Sequence, residues 1–298
     1  MVPTPAQLDK TYPARGPLQL FRFADATSFP CVRCGTTKKS KLIGICNGDW
    51  SRRVCNGCYG ELLSIYDLKT SGKVPDEAAD ELADLLLSFV GKDEALKLAH
   101  RYRLVQRQAT VLHERVVRFL ATADHVAGTL GGSTSLDWSP AVIGLCKAVE
   151  LEAVARLLEP LRTNAASGQF AQDIQNRDLA KVARYCSSPS ARPPELGSLA
   201  HFLKVVATEP ELRSTSRIVQ AFFHQMRDWP YAAWLFDEAG FNRQLSALAK
   251  SFRNRAAHTD ELGQKDYDDC RTAVLGDTGV LWRLVQSTTA RLSNGKLA

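Results

Sequence analysis

Two pairs of cysteines have the types and the spacing to do chemistry in this 298-residue sequence. Cys31 and Cys34 form one Cys-x-x-Cys pair, and Cys55 and Cys58 form a second pair after twenty intervening residues. Each pair can grip one edge of a tetrahedron, and four thiolates leave no open coordination position, as structural zinc requires. The spacing therefore predicts one structural Zn²⁺ per chain.

The other cysteines fit this interpretation. The chain has eight, too few for a disulfide scaffold, and five of them lie within residues 31–58. In a reducing compartment such a cluster indicates metal binding, not disulfide bridges. We expect Cys46 to be a buried thiol in the loop between the pairs, in preference to replacing a ligand. We expect Cys146, Cys186 and Cys270 to be thiols of the core.

The basic excess of the chain lies with the cysteines. Residues 1–75 hold 11 Lys and Arg against 5 Asp and Glu, whereas the remaining residues hold 27 of each. A polyanion would be attracted to this end of the chain. We predict that the cations of the cysteine module contact nucleic acid, namely Arg33, Lys38, Lys39, Lys41, Arg52 and Arg53. A solvated basic loop and a finger that faces a protein remain the alternatives.

The module also resembles a known family. Cys31-Val-Arg-Cys34-Gly-Thr-Thr and Cys55-Asn-Gly-Cys58 are similar to the two knuckles of GATA-type fingers, with a slightly longer loop between them. An apolar-periodic helix begins directly after the second pair. The resemblance implies a treble-clef zinc fold over residues 31–58 and leaves open whether the finger reads bases.

A second chemically active group lies near the C-terminus, in the run Phe252-Arg-Asn-Arg-Ala-Ala-His258. On a helix, Asn254 and His258 share a face and Arg253 lies beside them. Arginine can stabilise the charge of a phosphate, and histidine can move a proton near neutral pH. This combination suits phosphodiester chemistry.

The run resembles the signature of the HEPN superfamily, which is an arginine, a polar residue, three or more others and a histidine. Segments at 145–152 and 196–203 extend the resemblance over residues 136–298. It implies cleavage of RNA without a catalytic metal, by a homodimer in toxin, phage-defence or other conflict systems, under an inhibitory or activating protein partner. The catalytic roles then fall to Arg253, Asn254 and His258, with Glu150 of the first helix as a secondary candidate. A member that binds RNA without cutting it is the alternative.

Around these two sites the pattern predicts a mainly α protein: an all-helical HEPN-like bundle, preceded by a long helical region and a small treble-clef zinc finger. Proline-rich residues 1–30 predict an extended arm, followed by the zinc finger at 31–75. A helical connector at 76–130 and the HEPN-like domain at 131–298 complete the chain, with a glycine- and serine-rich linker at 128–135. No stretch shows the sustained alternation of a strand.

The connector carries apolar residues at alternating spacings of three and four. Its members are Leu98, Tyr102, Val105, Ala109, Leu112, Val116 and Phe119. This seam is compatible both with a coiled coil of two chains and with a helical hairpin inside one chain.

No apolar run approaches the roughly 18 residues that a membrane-spanning helix needs. The first ten residues lack the apolar core of a secretory signal. We therefore expect a cytoplasmic protein with no membrane contact. The favoured function is a metal-independent endoribonuclease whose zinc finger aids recognition of RNA or of a partner. The alternative is a non-catalytic zinc-finger protein that binds nucleic acid or acts as a dimerising scaffold.

Overall fold

The computed structural model describes residues 7–130, 137–166, 168–258 and 261–294, with side chains as far as residue 288. Within these ranges the protein is mostly helical, which confirms the predicted class, and it also contains a small four-stranded antiparallel sheet. Beyond residue 54 the described part of the chain contains helices and no strand. Most of the linker predicted at 128–135 lies outside the described residues.

The sheet consists of β1 (Leu8–Thr11), β2 (Leu18–Pro30), β3 (Thr37–Cys46) and β4 (Asp49–Val54), in that order. The predicted extended arm therefore corresponds, over residues 7–30, to two strands of this sheet. A register shift between Arg22 and Thr27 of β2 breaks the alternation of buried and exposed residues. Because a bulge moves later side chains to the other face, the strand lacks the period that would reveal it in the sequence.

An aromatic cluster on the sheet holds the N-terminal strands to the cysteine module. Phe21 and Phe23 of β2 pack with Ile43 and Ile45 of β3, all at most 8 % exposed. Trp50 of β4 lies against them, with its ring centroid 4.7 Å from that of Phe21. Burial of aromatic side chains is a major source of packing energy in a sheet this small.

Fifteen α-helices are described after the sheet. In chain order they are α1 (Asn56–Thr70), α2 (Pro75–Val90), α3 (Lys92–Val105), α4 (Glu114–Leu130), α5 (Ser139–Ala153), α6 (Glu159–Asn164), α7 (Ala180–Ser187), α8 (Leu196–Thr208), α9 (Leu212–Thr215), α10 (Arg217–Met226), α11 (Ala232–Phe236), α12 (Phe241–Leu248), α13 (Asn254–Ala257), α14 (Gln264–Leu275) and α15 (Val280–Asn294).

Two of these helices continue into the next through a π-helical turn. The turn at Val154–Leu158 joins α5 to α6, and the turn at Ala249–Arg253 joins α12 to α13. A π turn widens the helix and redirects the side chains that follow it, and it occurs often at functional sites. The second turn ends at Arg253, which the sequence singles out.

Helix α5 is the centre of the body and is almost wholly buried. It crosses α2 and α4 at Gly144, where an added Cβ would lie 2.4 Å from Leu86 Cδ2 and 3.1 Å from the Cβ of Ala123. The glycine thus permits the three helices to approach closely. No described helix has the length and hydropathy of a membrane-spanning segment.

The finger and the body share one continuous buried cluster, which extends from Leu18 to Val285. At the start of α5 the buried Lys69 of α1 places its Nζ 2.7 Å from Asp137 Oδ2 and 2.9 Å from Ser139 Oγ. The cysteine module therefore packs directly on the helical body.

The apolar seam of the connector is interrupted in the structure. Helix α3 ends at Val105, a 3-10 turn follows at Arg107–Val111, and α4 then packs back against α3. Arg156 donates to the Val111 carbonyl at 2.7 Å, and the His113 amide donates to buried Glu152 at 3.3 Å. Glu152 lies in α5 and Arg156 lies in the π-helical turn that follows it. The two contacts therefore hold the 3-10 turn against this continuous helix.

The two halves of the seam differ in burial accordingly. Leu112, Val116 and Phe119 are at most 4 % exposed inside the body, whereas Val105 is 78 % exposed. Within the chain, the segment has the geometry of a helical hairpin.

Candidate metal centre and arginine-lined cleft

The four paired cysteines converge on one point. The sulfur atoms of Cys31, Cys34, Cys55 and Cys58 all lie within 4.8 Å of one another. The first pair lies in a tight turn after β2, in which the Gly35 amide donates to the Cys31 carbonyl at 2.9 Å. The second pair opens α1, with Cys55 at its N-cap and Cys58 in its first turn. Four sulfurs this close can hold one metal ion.

The electrostatics of the cluster favour a thiolate. A hydrogen bond from Cys58 is the largest cause that lowers the pKa of Cys31, to about 4. The same contact raises the pKa of Cys58, because that thiol is the donor. The Cys55 amide adds a hydrogen bond to Cys31 Sγ at 3.3 Å. These hydrogen bonds therefore favour the thiolate form of Cys31, which is the form that binds metal.

Cys46 lies outside this cluster. It is 5 % exposed at the end of β3, and burial raises the pKa of its thiol. A buried neutral thiol is a poor ligand and a poor nucleophile. Cys146 and Cys270 are likewise buried, with their sulfurs 3.9 Å apart, and Cys186 is 2 % exposed.

Arg33, between the first two cysteines, is turned inward. It is 7 % exposed, pairs with Glu61 of α1, and has its guanidinium carbon 5.3 Å from the ring centroid of Phe89 in α2. Burial is the main cause that lowers the pKa of this guanidinium, and the neighbouring cysteines oppose the shift. The guanidinium of Arg33 is thus committed to contacts with Glu61 and Phe89 inside the chain. We therefore assign Arg33 a structural role in place of the predicted nucleic-acid contact.

The other predicted nucleic-acid contacts differ in accessibility. Lys38, Lys39 and Lys41 are exposed on β3, where the Lys41 ammonium donates to the Ala24 carbonyl. Arg52 and Arg53 of β4 are half-buried. The accessible cations of the module are therefore concentrated near the start of β3, beside the cysteine cluster.

The C-terminal motif begins with a buried cation. Arg253 is 3 % exposed, and its Nη1 donates to Asp76 in the first turn of α2. Its Nη2 is buried without a hydrogen-bond partner among the described residues. Asn254 follows, half-buried at the start of α13. His258 is exposed just after α13, and its amide donates to the Asn254 carbonyl at 3.1 Å.

Glu150, the secondary catalytic candidate, is a buried carboxylate that joins two helices. It is 3 % exposed, pairs with Lys147, and accepts a hydrogen bond at 2.8 Å from the Leu196 amide that opens α8. Burial raises the pKa of its carboxyl, and the charges of Lys147 and Arg253 act against that rise. Glu150 therefore caps α8 and lies within electrostatic range of Arg253.

Arg253 and Asn254 line an open cleft of about 800 Å³ between the starts of α2, α7 and α8. The cleft also contains Arg177, Lys181 and His201, which belong to none of the predicted sites. The described residues that line it do not include His258. Within one chain, the structure therefore places Arg253 and Asn254, but not His258, on this cleft.

The cleft histidine has an acidic partner. His201 Nε2 lies 2.9 Å from Asp178 Oδ1, and both side chains are about half exposed. Lys181 lies 2.9 Å from Glu195 and 3.7 Å from Asp76. His201 belongs to the segment at 196–203 that carries part of the family resemblance, but no spacing in the sequence relates it to Arg253.

Comparison with known proteins gave no match: no protein-family model matches the chain, and neither the curated proteins nor the solved structures compared with it match it.

Proposed function

We propose that this protein is a HEPN-like endoribonuclease that acts without a catalytic metal. The observation that supports the proposal is Arg253 on an open cleft. One end of its guanidinium is held by Asp76, the other end has no hydrogen-bond partner among the described residues, and Asn254 lies beside it. A cation that is already fixed in place stabilises developing phosphate charge with little reorganisation.

The proposed reaction is attack by a ribose 2′-OH on its own 3′-phosphate. The O2′–P bond forms as the P–O5′ bond breaks, one proton leaves the 2′-OH, and another reaches O5′. His258 accepts or donates one of these protons, and Arg253 stabilises the charge of the five-coordinate phosphorus. The products are a 2′,3′-cyclic phosphate and a 5′-hydroxyl.

His258 and Arg253 act together most simply in a dimer. His258 is exposed at the end of α13, away from the cleft that Arg253 lines. In a homodimer whose two motifs meet, the His258 of one chain can serve the Arg253 of the other. The exposed Val105 and Leu104 at the end of α3 offer apolar surface for self-association.

For the cysteine cluster we propose Zn²⁺. Four thiolates and no oxygen or nitrogen donor suit zinc in a closed, structural site. The order of the elements supports a treble clef, because the first pair precedes the β3–β4 hairpin and the second pair opens α1. When bound, the ion stabilises the finger, and Lys38 and Lys39 then present charge to RNA or to a partner.

The wider assignment follows from the family resemblance. We propose a cytoplasmic enzyme of a toxin, phage-defence or other conflict system, with RNA as substrate and an inhibitory or activating protein as regulator. Toxic RNA cleavage requires such control.

Cleavage of labelled RNA by the purified protein tests this function. A single 2′-deoxy substitution at the cleaved position should block the cut, because the nucleophile is absent, and EDTA should leave the rate unchanged. His258→Ala should slow cleavage by about 10²–10⁴-fold. Arg253→Ala should slow it by about 10²–10³-fold.

Arg217→Ala and His224→Ala, which remove a pair of similar spacing on α10, are the matched controls and should cut like the parent. A folded His258→Ala variant that cuts as fast as the parent would disprove the mechanism. Dependence on added magnesium would point to a different active site.

A non-catalytic zinc-finger scaffold is the second candidate. The burial of Arg253 and its ion pair with Asp76 favour it, since such a pair also serves to join α2 to the C-terminal helices. In that case the parent protein binds RNA or a partner but yields no cyclic-phosphate product.

A further inference from the structure

We propose that the cleft beside Arg253 is a binding subsite for a backbone phosphate of single-stranded RNA, held by Arg177, His201 and the N-terminus of α8. The inference rests on the proposed ribonuclease for the identity of its ligand. It adds residues that lie outside the Arg253–His258 motif.

The first observation is an unsatisfied donor on a residue that lines the cleft. Arg253 is 97 % buried, yet its Nη2 has no hydrogen-bond partner in the described part of the chain. A buried charged donor that is left unpaired destabilises the structure, because it has lost its water without gaining an acceptor. A phosphate oxygen that enters the cleft can supply the acceptor.

The second observation is the start of α8. Gly197 and Ser198 line the cleft, and they lie in the first turn of a 13-residue helix, where amides have no acceptor within the helix. The amide of Leu196, which precedes them, donates a hydrogen bond to the buried Glu150. An added Cβ at Gly197 would meet no atom within 4 Å, so the backbone there is open to a ligand. Such a helix end favours an anion.

The third observation is charge. Three permanent cations line the cleft against two carboxylates. Arg253 is paired with Asp76, Lys181 is paired with Glu195, and Asp178 faces the His201 imidazole. Arg177 is exposed, with no ion pair among the described residues. The neighbouring cleft, across Asp76 and Lys181, has seven carboxylates against four cations and so repels phosphate. An RNA strand is therefore directed to the His201 side.

The test uses a single-stranded 2′-O-methyl RNA, which lacks the nucleophile and cannot be cut. Fluorescence anisotropy measures its binding to the protein over a range of salt concentrations. Arg177→Ala and His201→Ala should each weaken binding by about three- to tenfold, the range of one exposed charge-assisted contact. Arg177→Ala should also reduce the slope of log K against log salt by about 0.7. Both positions are exposed, so melting temperatures should stay those of the parent.

Arg192→Ala is the matched control, because it removes the same charge from an exposed arginine in the acidic cleft. It should bind within twofold of the parent. Three results would each overturn the subsite. They are a loss of RNA affinity in Arg192→Ala equal to that in Arg177→Ala, an unchanged RNA affinity in Arg177→Ala, and no binding of the RNA by the parent. Binding of inorganic phosphate in calorimetry without binding of the oligonucleotide would overturn the assignment to RNA.

The result is separable from the proposed nuclease. If the parent cuts no RNA but binds the probe in an Arg177-dependent way, the subsite stands and the nuclease fails. If the parent cuts RNA and Arg177→Ala cuts and binds like it, the nuclease stands and the subsite fails.

Discussion

Replacing Arg33 by alanine removes a cation that the sequence assigns to nucleic acid and the structure assigns to the interior. Its side chain is 8 % exposed and that of its partner Glu61 is 38 % exposed. Breaking a fully buried pair costs about 3–5 kcal/mol, and breaking an exposed one costs about 1 kcal/mol or less. Since the half-exposed Glu61 can regain water, we expect the loss of this pair to lower the free energy of unfolding by about 2 kcal/mol. Loss of the contact with Phe89 adds about 0.5–1 kcal/mol.

The total of about 2–3 kcal/mol should lower the melting temperature by roughly 4–10 °C, because the finger shares its buried cluster with the body. Differential scanning calorimetry measures this shift. Arg33→Ala should also release its metal faster to a chromogenic chelator, because a nearby positive charge is lost from the thiolates.

Lys38→Ala is the matched control, since it removes a cation from the same module at an exposed position. Its stability should lie within about 0.5 kcal/mol of the parent. RNA binding should weaken in Lys38→Ala more than in a folded Arg33→Ala. The reasoning is refuted if Arg33→Ala melts like the parent and binds RNA more weakly than Lys38→Ala.

Three further predictions address the metal and the packing. The parent should contain about one zinc per chain, and Cys55→Ser should lose it while keeping most of the helical signal in far-UV circular dichroism. Elemental analysis that finds the metal retained in Cys55→Ser would contradict the four-thiolate site. Leu112→Glu, at a site 4 % exposed, should destabilise by about 3 kcal/mol or more in urea unfolding, whereas Val105→Glu, at 78 % exposed, should stay within about 0.5 kcal/mol. If Val105 joins two chains, its variant should instead reduce the mass in sedimentation. Gly144→Ala should lower the free energy of unfolding by about 1–3 kcal/mol, because its Cβ would overlap Leu86. Gly60→Ala, in an open helical position, should be neutral or stabilising. Equal stability of the two variants would refute the close crossing.

Local patterns account for what the sequence predicted well. The spacing of Cys31, Cys34, Cys55 and Cys58 predicts their convergence, because two short Cys-x-x-Cys turns impose most of the geometry of such a site. The helical class follows from apolar residues at spacings of three and four, which depend only on the twist of a single helix. Each Cys-x-x-Cys turn and each helical repeat is formed by residues that lie close together along the chain.

The sheet shows where local patterns fail. Strand β2 carries a bulge that removes its alternation, and its pairing with β3 is set by tertiary contacts. The connector shows the same limit, since its apolar seam continues through Gln106 in the sequence but turns back in the structure. The contacts of Arg156 and Glu152 that hold this turn come from more than 35 residues away.

By itself, the sequence predicted the convergence of Cys31, Cys34, Cys55 and Cys58 and the helical class, and it singled out the run at 253–258. Tertiary structure alone decided which charges are free to act. It buried Arg33 against Glu61 and Phe89, paired Arg253 with Asp76 across 177 residues, and placed Arg177 and His201 on the same cleft. The physical reason is that the availability of a charge depends on burial and on partners, and both are set by contacts between segments far apart in the chain.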